Sequence, residues 1–96
     1  MNDVDFEWDE RKHSANKRKH SISFVEAQTV FADENGLLLH DPDHSPDEDR
    51  FILLGLSSNL RTLVVCHTYR KNDGIIRIIS ARRATRSEEE QYWNRW

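Results

Sequence analysis

Apolar residues fall along this chain in short runs whose spacing changes from one segment to the next. Phe6-Glu7-Trp8 alternates apolar and charged side chains, the period of a short edge strand. Asp9 stands where a helix cap belongs. Residues 10–19 favour helix but include almost no apolar side chain besides Ala15, so this helix is predicted to lie on the surface with its cations toward solvent. Ser23 and Glu26 form an S-x-x-E capping box, with Ile22 placed to pack on Ala27. Phe24, Ala27 and Phe31 recur at helical spacing beside Val30, which predicts a helix from 24 to about 32 with one stripe buried on a sheet. Asn35-Gly36 turns the chain, residues 37–40 read as a strand, and an acidic, proline-punctuated loop spans 41–49.

Three runs rich in Ile, Leu and Val follow at residues 50–57, 60–69 and 75–82, with joins too short for a parallel crossover. A second capping box, Thr85 to Glu88, opens a terminal helix over 85–95 whose Tyr92, Trp93 and Trp96 either pack on the sheet or form a partner-binding patch. The fold class is therefore α+β: a small antiparallel sheet of about four strands, two N-terminal helices and one C-terminal helix. No linker, repeat or low-complexity segment divides residues 1–96, so one domain is expected. Strict alternation puts Leu63, Val65, His67 and Tyr69 on one face of their strand. In the next run it sends Ile75, Arg77, Ile79 and Ala81 one way and Ile76, Ile78, Ser80 and Arg82 the other.

Charge changes this picture most. The net charge is -3, yet residues 1–10 carry -5, 11–20 carry +5, 21–50 carry -7, 51–86 carry +6 and 87–96 carry -2. Two basic blocks separated in sequence can meet in space as one phosphate-binding surface. A single cysteine, Cys66, excludes an intrachain disulfide and points to a reducing cytoplasm. The acidic N-terminus and the absence of any long apolar stretch speak against a signal peptide and a membrane span.

These residue types suit phosphodiester chemistry without a metal, which needs a base, an acid and cations around the charged phosphorane. His67 and Tyr69 are the candidate proton carriers, and an arginine among isoleucines, Arg77, is a candidate cation on an open face. Arg82, Arg83, Lys12, Lys19 and His20 supply further phosphate-binding groups. His40-Asp41-Pro42-Asp43-His44 has ligand types but no recognised metal-binding spacing, so no metal or other cofactor is expected.

Taken together, F-E-W-D-E-R-K at 6–12, Asn16, K-H-S-I-S-F at 19–24, E-A at 26–27, E-D-R-F-I-L-L-G at 48–55 and R-I-I-S-A-R-R-A-T at 77–85 resemble the BrnT family of toxins. The resemblance covers nearly the whole chain. It implies a RelE-like fold and a ribonuclease toxin of a type II toxin–antitoxin pair. It further implies a partner, a BrnA-type ribbon-helix-helix antitoxin that neutralises the toxin and carries most of the operator DNA binding. Lys12, Lys19, His20, Arg50, Arg77, Arg82 and Arg83 match the family's motifs, whereas His67 and Tyr69 rest on their chemistry. Ser21 stands where the family usually has glycine.

The expectation is thus a cytoplasmic, metal-independent endoribonuclease that transfers the RNA phosphodiester to the adjacent 2'-hydroxyl, with an antitoxin covering its basic surface. His67, Tyr69, Arg77 and Arg82 are the candidate catalytic residues; Lys12, Lys19, His20, Arg50 and Arg83 are the candidates for holding phosphate. The alternative is a non-catalytic module that binds the antitoxin and acts as co-repressor.

Overall fold

A computed structural model describes residues 4–45 and 47–95, without the side chain of His44. The sheet has five strands, β1 (Asp5–Glu7), β2 (Leu37–His40), β3 (Phe51–Leu56), β4 (Thr62–Arg70) and β5 (Ile75–Arg83), in the order β1-β5-β4-β3-β2. Four are antiparallel, as the short joins require, while β1 lies parallel to β5 with Phe6 opposite Ile76. The count of about four therefore becomes five. The hairpin logic could not reach β1, because two helices and three other strands intervene before its partner.

Helix α1 (Glu10–His20) begins at Asp9, whose carboxylate accepts from the Arg11 N–H. It ends at Ser21 in the left-handed region, φ 59, with the Ser21 N–H returned to the Lys17 carbonyl. A side chain there costs about 1 kcal/mol relative to glycine. Ser21→Gly should therefore stabilise the protein by about 0.5–1 kcal/mol, read as a higher denaturant midpoint at unchanged slope. Helix α2 (Phe24–Thr29) is capped by Ser23 and tightens into a 3₁₀ turn over Val30–Ala32. Helix α3 (Arg86–Trp93) opens on the Thr85–Glu88 capping box.

The two faces of the sheet are covered unequally. On one, Ile22, Phe24, Ala27 and Val30 from the α2 region pack on Leu53, Leu63, Val65, Ile76, Ile78 and Ala81. Glu26 is buried beneath this layer, paired with Arg61 at 2.6 Å and accepting from the Ser57 hydroxyl, which ties α2 to the β3–β4 turn. On the other face, among the described residues, α3 packs with Tyr92 against Leu54 and Val64. The Tyr92 hydroxyl donates to the Asp33 carboxylate, and burial first, Asp33 second, push the phenol up to about 12. Trp93 is 48% exposed, whereas Trp96 lies outside the described residues. Leu60, expected at the start of a strand, lies in the turn before β4 with φ 60 and its side chain in solvent.

Candidate functional site

The site is set by one irregularity in β5. Cys66 pairs with Ser80 and His67 with Ile78, which leaves Ile79 as an extra residue opposite the Cys66–His67 step. A bulge of this kind reverses the facing of everything beyond it. Ile76, Ile78 and Ala81 all reach the helix-covered core, while Arg77, Ser80 and Arg82 share the opposite face. Strict alternation had placed Arg77 and Arg82 on opposite sides, and the bulge corrects that expectation.

Beyond β1, the exposed edge of β5 is closed by α1 through a single side chain. Asn16, the one buried residue of α1, accepts from the Ala81 N–H at 3.0 Å and donates to the Ala81 and Ile22 carbonyls at 2.8 and 3.0 Å. It thus stands in for a strand neighbour. The signal in the sequence is an uncharged asparagine in the middle of a cationic helix, which by itself does not name its distant partners. Its consequence is that α1 runs beside the bulge with its cations toward the open face.

Two adjoining depressions result. One, of about 240 Å³, is lined by Lys12, Lys19 and His20 of α1 together with Ile79 and Ser80; the other, of about 260 Å³, by Arg50, Asp41, Cys66, Arg82 and the same Ile79 and Ser80. Five of the nine residues singled out from sequence, Lys12, Lys19, His20, Arg50 and Arg82, therefore border one continuous surface. Cys66 forms part of its floor, and burial pushes the thiol up despite the nearby charges of Arg50 and Lys12.

Two arginines of this face, Arg82 and Arg77, have carboxylate partners. Arg82 grips Glu88 through two bonds of 2.8 and 2.9 Å, and Arg77 meets Glu7 at 2.9 Å. The Arg82 guanidinium chiefly, with the Thr85 N–H, pulls the Glu88 carboxyl down to about 2. A depressed carboxyl stabilises the fold above its unfolded value of 4.5, and that contribution disappears as the pH falls toward 2. With Arg82 partly in solvent, it amounts to about 1–2 kcal/mol. Glu88→Gln should therefore flatten the loss of stability between pH 4.5 and 2, followed by denaturant titration across that range.

The remaining candidates lie elsewhere. His67 is fully buried on the helix-covered face, edge-on to Phe31 at 4.8 Å. Its Nδ1–H donates to the Val65 carbonyl at 3.1 Å, which leaves Nε2 to accept from the Tyr69 hydroxyl at 3.2 Å. Burial lowers its basicity, so the ring is held neutral. His67 and Tyr69 thus form a pair, but across the sheet from Arg77 and Arg82 and not in one cluster with them. Arg83 also lies on the far side from Arg82, opposite Leu63, and is exposed. Of the segment 40–44, His40 meets Asp49 at 3.3 Å.

Residues 8–88 match the sequence profile of a family described as the ribonuclease toxin BrnT of type II toxin–antitoxin systems. The chain belongs to the BrnT family. The crystal structure of the Brucella abortus ribonuclease toxin BrnT has the same fold, with a TM-score of 0.67 at 19% identity over 86% of this chain and 99% of that one. No curated protein sequence matches. Membership assigns this BrnT chain a toxin's role and implies an antitoxin partner. Among its described residues, no helix is long and apolar enough to cross a membrane. Lys12, Asn16, Lys19, His20, Arg50 and Arg82 all fall within the matched segment.

Proposed function

We propose that this chain is a metal-independent endoribonuclease that binds single-stranded RNA across the cationic face and is neutralised by a BrnA-type antitoxin covering that face. The observation that carries the reading is the convergence of Lys12, Lys19, His20, Arg50 and Arg82 around the bulge at Ile79–Ser80. Cations from α1, β5 and the loop before β3, around two adjoining shallow depressions, suit a phosphodiester backbone, and an open face suits unstacked single strands better than a duplex. In the step proposed, the 2'-oxygen attacks phosphorus, the bond to the 5'-oxygen breaks, and the products are a 2',3'-cyclic phosphate and a 5'-hydroxyl. The cations stabilise the phosphorane's charge, and His20, whose imidazole borders this face, exchanges protons with the reacting oxygens.

A second reading is favoured by the carboxylates that occupy Arg77 and Arg82: a non-catalytic module that binds the antitoxin and modulates its grip on operator DNA. The two separate cleanly in solution. The enzyme, freed of antitoxin, should cut RNA in excess chelator and leave cyclic phosphate ends, identified by product-end analysis. A requirement for added divalent metal would overturn the metal-free scheme, and intact RNA alongside altered operator affinity would favour the co-repressor.

A further inference from the structure

We propose that the outer edge of β2 is a strand-addition site for an extended, cationic segment of the protein antitoxin. The proposal rests on the toxin–antitoxin reading and adds where and how the partner is held. Strand β2 ends the sheet, and its sequence, Leu37-Leu38-Leu39-His40, has none of the charges or prolines that usually guard an edge. Leu38 is 51% and Leu39 49% exposed, one toward each face of the sheet. The Asp41 N–H donates to the Arg50 carbonyl across the β2–β3 pair. By alternation, the main-chain groups of Leu39 also face β3, and those of Leu38 and His40 face outward, away from the sheet.

The opposite edge is treated differently. There β1 has three residues, two of them Asp5 and Glu7, and Asn16 closes the rest of β5. An added strand on β2 would gain main-chain bonds to Leu38 and His40. It would also place side chains beside Leu38 and Phe51 on one face and Leu39 and Ile52 on the other.

Charge identifies the occupant. Residues 21–49 contain eight carboxylates and no lysine or arginine, and Glu34 before β2 and Asp43, Asp47 and Asp49 after it are exposed. Nucleic acid is repelled from such an edge. A second copy paired antiparallel through β2 would set Glu34 of each protomer near the acidic loop of the other, like against like. A lysine- or arginine-bearing segment with alternating apolar side chains meets both requirements.

The test uses the full chain with and without its protein antitoxin, followed by amide hydrogen exchange. The amides of Leu38 and His40 should slow at least tenfold in the complex. Leu38→Pro, which removes an outward N–H and leaves the inward ladder intact, should weaken antitoxin binding at least tenfold while RNA cleavage by the free chain is unchanged. A complex that neutralises the toxin while these amides exchange as before would overturn the proposal and leave the toxin reading standing. Protection of the same amides in the concentrated free chain would assign the edge to a second copy instead. Failure to form any complex with the antitoxin would overturn both readings.

Discussion

Replacing Arg82 by alanine is expected to lower RNA cleavage by about 10²–10³-fold, the usual cost of removing one group that stabilises charge developing in the transition state. Arg82→Lys should fall between the two, because an ammonium keeps the charge but loses the planar fork that matches a phosphate. Glu88 holds this guanidinium through two bonds and would compete for it with RNA bound as proposed, so Glu88→Gln should lower KM more than it alters kcat. Lys12→Ala and Arg50→Ala should lose activity in the same direction. His67→Ala, by contrast, removes a buried ring from beside Phe31 and Tyr69 and should act mainly through stability. The measurement is single-turnover cleavage by each variant, with near-ultraviolet circular dichroism as the check on folding. Parental rates in folded Arg82→Ala would remove that arginine from the chemistry.

Asn16→Ala should be the most damaging single change to a polar side chain, at about 3 kcal/mol. It strips partners from the Ala81 N–H, the Ala81 carbonyl and the Ile22 carbonyl at once, where water has little access. Buried main-chain groups left unsatisfied cost about 1–3 kcal/mol each, reduced by whatever water enters the space. Asn16→Asp should be little better, because a carboxylate can accept from Ala81 but donates to neither carbonyl. Denaturant unfolding gives the stabilities, and RNA cleavage at low temperature gives the functional consequence. Since α1 carries Lys12, Lys19 and His20 to the bulge, loosening its anchor should cost activity even where the fold survives. A loss under 1 kcal/mol would show that α1 is held by other contacts.

Much of the fold could be read along the chain because its signals are local. The caps at Asp9, Ser23 and Thr85 and the stripe Phe24, Ala27, Phe31 each depend on residues within one or two helical turns. The short joins after β3 and β4 dictated antiparallel neighbours for the same reason. The cations were legible as two blocks, and the family motifs around them as a toxin's. Strand β1 was legible as an edge but not in its pairing, since its partner β5 lies about seventy residues on. The His67–Tyr69 pair was legible as two residues on one face.

Composition and spacing by themselves determined the α+β class, the segregation of charge and the candidates for binding phosphate. Which of those side chains meet was decided by tertiary structure. One inserted residue, Ile79, reverses the facing of β5, so that Arg77 joins Arg82 while His67 stays in the core, and period-two alternation carries no information about where such an insertion falls. One long-range side chain, Asn16, fixes α1 against the strand edge at that point, through partners sixty-five residues away. The pairing of Arg82 with Glu88, and the unguarded edge of β2, likewise exist only once the sheet is assembled, because they depend on which elements become neighbours and which are left without one.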